Sequence, residues 1–155
     1  MIANVTALKY ADIEVFKKAV ITLSRQTPFP DQAFNNFDRI VNEFDFKQYL
    51  NFNVNLLLKN QDGEILGVVN GTGIEGGVGT IIWLLIDSRF KKLGFGSILF
   101  KSACEKYKEL GAHKIKLTVP EKTTVEFYKK QNMLLEGFHP NHWWNMDMWS
   151  MSKFI

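Results

Sequence analysis

The sequence predicts a single mixed α/β domain, and three observations carry that prediction. With 155 residues, 46% of them hydrophobic and 23% charged, the chain has the length and composition of one globular domain. Its apolar period is helical at first and becomes strand-like from Asn53 onward. Beyond a meander of strands, an apolar strand, a charged loop and an amphipathic helix follow one another in a β-loop-α-β order.

Residues 1–5 suit a short first strand. Asp12 stands before Ile13, Val15, Phe16, Ala19, Val20 and Leu23, a helical stripe with an N-cap residue at its head. Thr27-Pro28-Phe29-Pro30 stops this helix, because proline removes a donor and restricts its predecessor. Asp31 is placed to cap the next helix, which carries Phe34, Phe37, Ile40, Val41 and Phe44, and a shorter helical piece is expected over 46–51. Strands are expected over 54–59 and 64–71 about the turn Asn60-Gln61-Asp62-Gly63, the second extending through 72–75. Gly76-Gly77 turns the chain into a third strand over 78–86, apolar enough at its end to lie centrally in a sheet. Gly73, Gly76, Gly77 and Gly79 read as bulge or turn glycines.

The next helix aligns Phe95, Ile98, Leu99, Ala103, Tyr107 and Leu110 on one face and ends at Gly111. Ile115, Leu117 and Val119 alternate with Lys116 and Thr118 as a strand. Thr123-x-x-Glu126 has the capping-box pattern and opens a helix to Gln131. Strands over 134–138 and 146–151 complete one domain, 1–155, with no internal repeat or linker.

The net charge of +3, from 19 basic and 16 acidic residues, is too mild for a nucleic-acid binder. No apolar run approaches the ~18 residues of a membrane span. The N-terminus lacks a basic region followed by an apolar segment, so no signal peptide is expected. With one cysteine, Cys104, the expected location is a reducing cytoplasm. Cys104 reads as core rather than nucleophile. His113 and His139 are separated, so no metal is expected, and Lys101, Lys106 and Lys108 read as a solvated helix face.

The segment Ile86-Asp87-Ser88-Arg89-Phe90-Lys91-Lys92-Leu93-Gly94-Phe95-Gly96 joins the apolar strand to the amphipathic helix. Such a junction aims unpaired N–H groups and the positive end of a helix dipole at one spot, which suits an anion. Gly94 and Gly96 allow close backbone approach, and Arg89, Lys91 and Lys92 add positive charge. The P-loop pattern and the third glycine of a dinucleotide fingerprint are both missing.

This segment resembles motif A of the GNAT superfamily of acetyl-CoA-dependent N-acyltransferases, Arg/Gln-x-x-Gly-x-Gly/Ala. Lys91 stands at the Arg/Gln position, and Gly94 and Gly96 at the two small-residue positions. Downstream, Phe127-Tyr128-Lys129-Lys130-Gln131-Asn132-Met133 resembles the superfamily's Phe-Tyr-x-x-x-Gly-Phe. Asn132 replaces the glycine where the backbone turns left-handed, and asparagine is the best non-glycine residue there. The resemblance implies a central, mostly antiparallel sheet flanked by helices.

For function, it implies acetyl transfer from acetyl-CoA to a primary amine by direct attack, with no metal. The amides of Leu93, Gly94, Phe95, Gly96 and Ser97 would surround the coenzyme A phosphates, with Lys91 and Lys92 beside them. A backbone N–H near Leu85 or Ile86 would polarise the thioester carbonyl, and Tyr128 would be the general acid. The central strands carry no carboxylate, which leaves Glu75, Glu121, His142, Asp147 or water to take the amine proton.

The tail from Gly137 to Met151 loosely resembles that of N-terminal protein acetyltransferases, with Trp143-Trp144 in place of a paired tyrosine before an Asp-Ala-x-x-Met strand. On that resemblance His142, Trp143 and Trp144 would wall the acceptor site. The implied acceptor is a small-molecule amine or a protein or peptide amine, and homodimers are common in the superfamily. A non-catalytic acyl-CoA-binding regulatory module is the competing reading.

Overall fold

Strand alternation and helical stripes resolve into one seven-stranded sheet with helices on both faces. The computed structural model describes residues 1–43, 45–46 and 53–155. The strands are β1 (Ala3–Ala7), β2 (Val54–Asn60), β3 (Ile65–Gly71), β4 (Val78–Ile86), β5 (Lys114–Val119), β6 (Leu134–His139) and β7 (Met148–Phe154), in the order β1-β2-β3-β4-β5-β7-β6. Only β4 and β5 run parallel; every other neighbouring pair is antiparallel. The helices described are α1 (Ile13–Ser24), α2 (Asp31–Glu43), α3 (Phe95–Glu109) and α4 (Lys122–Lys130). The helical piece expected over 46–51, apart from Phe46, and the stripe residue Phe44 lie outside the described residues.

Two apolar layers flank the sheet. On one face Leu99, Ala103 and Tyr107 of α3 and Val125 and Tyr128 of α4 pack on Leu56, Val69, Ile115 and Leu117. On the other, Phe16 and Val20 of α1 and Phe37 and Val41 of α2 pack on Leu57, Val68, Trp83 and Leu85. The alternation of Ile115, Leu117 and Val119 therefore holds, and Cys104 is buried in the first layer. Val15, Ile98 and Leu110 fall outside their expected stripes and are exposed, while Phe100 takes a core position.

Several local expectations are corrected. Asp31 is the first residue of α2, and the Pro30 carbonyl accepts from Ala33 N at 2.8 Å. Its carboxylate therefore sits in the first turn, where it favours the helix dipole, rather than in the cap position before it. Asp12 precedes α1 but makes no cap bond, pairing instead with Lys59 at 3.2 Å. Thr123 and Glu126 form no capping box, because α4 starts a residue earlier and Glu126 pairs with Lys129 at 3.0 Å. Residues 72–75 do not extend β3; only Glu75 bridges, to Val78. Asn132 does turn left-handed, at φ 63°, just past α4.

Gly71 and Gly79 stay small because Tyr107 lies across them. A Cβ at Gly79 would stand 2.2 Å from the Tyr107 ring, and one at Gly71 would stand 2.0 Å from its hydroxyl. Among the described residues no helix is long and apolar enough to cross a membrane.

Candidate active site

β4 and β5 are paired only at Val78, Gly79 and Thr80 against Lys114, Ile115 and Lys116, and then part company. Between Asn70↔Trp83 and Gly71↔Ile81 the β4 strand carries one extra residue, Ile82. A bulge bends and over-twists its strand, which helps to separate β4 from β5 beyond it. It also resets the side-chain alternation: Ile81 and Leu84 meet the α3 layer, while Trp83 and Leu85 meet α1 and α2. A cleft of about 580 Å³ opens where the strands separate, within the range of small-molecule sites.

The open edge of β4 can be read from its register. Asp87 N donates to Leu66 O at 2.9 Å and Ile86 stands opposite Gly67. Antiparallel pairing alternates, so the main-chain groups of Leu85 face β3, whereas those of Leu84 and Ile86 face the cleft. The main chain of Ile86 thus faces the cleft, that of Leu85 is engaged with β3, and that of Leu84 is open in its place.

Beyond β4, the loop ends in two left-handed residues, Lys92 at φ 63° and Gly94 at φ 84°, the latter directly before α3. The N–H groups of Leu93, Gly94, Phe95, Gly96 and Ser97 meet no acceptor among the described residues, as the first amides of a helix require an outside partner. Nothing lies within 4 Å of a Cβ built on Gly94, whereas one on Gly96 would touch Phe127 at 3.3 Å. Lys91 and Lys92 are exposed on the cleft and no carboxylate pairs with them among the described residues. Ser97 lines the cleft and its hydroxyl accepts from Gln131 Nε2 at 2.9 Å.

Arg89 does something other than expected. Its guanidinium binds Asp87 at 2.8 Å and Glu64 at 2.6 Å, so its charge is spent holding the loop to the β2–β3 hairpin. The Arg89 hydrogen bond holds the Asp87 carboxyl below the usual aspartate range, against a smaller opposing effect of burial. Gln26 Oε1 accepts from Ser88 N at 2.6 Å and ties the same loop to the end of α1.

Two buried tyrosines differ in a decisive way. Tyr107 donates to Thr72 O at 2.9 Å, with Thr80 O also in reach at 3.1 Å. Tyr128 is 5% exposed, rests edge-on against Phe127 and Phe100, and lines the cleft. Its hydroxyl meets no acceptor among the described residues. Burial pushes its pKa well above the usual phenol value, with the nearby Cys104 adding to the rise, so it keeps its proton at neutral pH.

The face of the cleft toward α1 and α2 is aromatic. Phe29, Phe37 and Trp83 line it, and Phe37 stands 5.5 Å from Trp83 between ring centres. Trp144 lies against Phe29 at 5.5 Å and Phe37 at 6.2 Å and does not itself line the cleft. Trp144 is held at φ 52°, a conformation that costs a bulky residue about 1–3 kcal/mol. Trp143 is exposed and packs on His142, whose ring faces His139 at 5.0 Å; neither residue lines the cleft. Phe29 and Phe37 read from sequence only as a loop aromatic and a core stripe.

Of the proton-acceptor candidates, Glu121 alone is a carboxylate on the cleft among the described residues. Glu75 lies at the far end of β4, on a separate hollow with Lys114 and Glu136. Asp147 accepts from Asn141 N at 3.0 Å and braces the β6–β7 loop.

A sequence description of the acetyltransferase (GNAT) family matches residues 20–133, most of the chain. The protein belongs to the GNAT acetyltransferase family. Solved structures of similar fold include the PaiA N-acetyltransferase from Thermoplasma acidophilum in complex with coenzyme A, at TM-score 0.77 and 16% identity over 100% of both chains. The GNAT-family acetyltransferase from Streptococcus pneumoniae aligns at TM-score 0.79 and 20% identity, over 99% of this chain and 100% of that one. The ribosomal-protein-S18-alanine N-acetyltransferase from Escherichia coli aligns at 0.74 and 14%, over 99% and 94%. Against curated proteins the sequence finds no match. The mixed sheet flanked by helices is the fold that this GNAT acetyltransferase shares with these structures.

Proposed function

We propose that this GNAT acetyltransferase moves the acetyl group of acetyl-CoA onto a primary amine by direct attack, with Tyr128 as general acid. The observation that carries the reading is the Tyr128 hydroxyl, which lies on the cleft with no hydrogen-bond partner among the described residues and so is free to donate to a bound group.

The donor supplies an activated thioester; the chain's residues position it. The free amides of Leu93 to Ser97 suit a diphosphate, with Lys91 and Lys92 adding charge. The open main-chain groups of Leu84 and Ile86 suit the amides of a pantetheine arm, and an unpaired N–H on that edge suits the developing oxyanion. In the transfer, the amine nitrogen bonds to the acyl carbon and the carbon–sulfur bond breaks. The sulfur takes the Tyr128 proton, and the amine proton leaves to Glu121. A thiol pKa of about 8.5 makes the sulfur a fair leaving group, so the tyrosine assists rather than decides.

Glu121 and Tyr128 on one cleft weigh against a non-catalytic acyl-CoA-binding module. The test is release of free thiol from acetyl-CoA in the presence of a panel of amines. Amine-dependent release supports the reading; binding of coenzyme A with no release for any amine overturns it.

A further inference from the structure

The cleft passes through the plane of the sheet, and its two sides have different chemistry. Toward α3 and α4 it offers amides, lysines and the Tyr128 hydroxyl. Toward α1 and α2 it is lined by Leu23, Gln26, Thr27, Phe29, Phe37 and Trp83, with no aspartate or glutamate among the described residues. If the donor takes the first side, the amine arrives from the second.

That second side rejects two kinds of amine on physical grounds. A polyamine needs several carboxylates to replace the water around its charges, and the described residues on this side provide none. A peptide N-terminus needs an open channel for the chain behind it. Here the β6–β7 loop touches both the α1–α2 loop, through Trp144 and Phe29 at 5.5 Å, and α2, through Trp144 and Phe37 at 6.2 Å. The left-handed backbone at Trp144, φ 52°, marks this contact as imposed by the surrounding structure rather than by local preference.

We propose that the acceptor is a small arylalkyl monoamine whose ring packs against the wall that Phe29, Phe37 and Trp83 form by contact with one another, with Trp144 packed on Phe29 and Phe37. This rests on the transferase reading above. A flat ring gains offset or edge-on contacts from such a wall, and its single nitrogen needs only one proton acceptor.

The test compares 2-phenylethylamine, spermidine and a short peptide with a free N-terminus at saturating acetyl-CoA, following thiol release. The inference expects kcat/KM for 2-phenylethylamine at least about tenfold above both others, the scale a hydrophobic pocket supplies. Phe29→Ala raises KM for 2-phenylethylamine about tenfold while calorimetric coenzyme A affinity stays unchanged. Phe29→Leu, which keeps more of the packing, falls between. Preference for spermidine or the peptide overturns the acceptor class and leaves the transferase reading standing. No release with any of the amines, despite coenzyme A binding, overturns both.

Discussion

The guanidinium of Arg89 clasps the carboxylate of Asp87, with Nε 3.2 Å from both oxygens and Nη2 2.8 Å from Oδ2. Asp87 also accepts from Arg89 N at 3.0 Å, so one buried carboxylate fixes the start of the loop that joins β4 to α3. Because its pKa is lowered on folding, Asp87 contributes stability above the ordinary aspartate value of about 4. That contribution is lost as pH falls through the folded value. Asp87→Asn should therefore cost about 1 kcal/mol at pH 7, a figure kept small because solvent reaches Arg89. It should also flatten the decline toward pH 3. Urea midpoints across that range decide; parallel curves for both proteins would refute the coupling.

Tyr128→Phe should lower kcat by about 10²-fold or less and leave coenzyme A affinity intact. With its phenol pKa raised, Tyr128 stays protonated through pH 10, so no loss of rate below that pH belongs to it. A basic limb near pH 8 that disappears in the phenylalanine variant would contradict this.

Gly94→Ala meets no steric obstacle, since the space around a Cβ there is open. Its cost is conformational, about 1–2 kcal/mol for an L-residue at φ 84°. Either the loop keeps its shape and the protein melts lower, or the loop relaxes and coenzyme A binds about tenfold more weakly. Calorimetry and a melting curve on the same sample should show one of these losses; neither appearing would sink the argument.

Gly79→Ala sets a methyl 2.2 Å from the Tyr107 ring and should destabilise the fold by at least about 2 kcal/mol. Tyr107→Leu, which removes the ring, should be less than additive with it. A double-mutant cycle measures the coupling, and strict additivity would mean that the two do not collide.

Cys104 is buried, and burial pushes its thiol pKa up to about 11. Native protein at pH 8 should react with iodoacetamide much more slowly than urea-unfolded protein. Equal rates would place the sulfur at the surface.

What sequence made visible was what lies close along the chain. The segment from Asp87 to Gly96 and the Tyr128–Asn132 turn are each contiguous, and Gly94 and Asn132 mark left-handed backbone by residue type alone. The open edge of β4 was less legible. Leu85 and Leu84 differ only in parity, and parity depends on an insertion that no periodicity in an unbroken apolar run betrays. Glu75 and Glu121 looked equivalent until the parting of β4 from β5 assigned them to opposite ends. Arg89 read as an anion ligand because its two carboxylate partners, one of them 25 residues away, are a matter of folding. Phe29 and Phe37 escaped notice because an aromatic that lines a cleft and one that fills a core obey the same spacing.

Ile82 has no counterpart on β3, and this makes its position one place in the sheet that can lose a residue. Deleting its codon would leave Ile81 beside Trp83 in plain alternation, with the indole still toward α1 and Leu84 still toward α3. The same loss from β5, whose register holds no spare residue, would turn its later side chains to the opposite face.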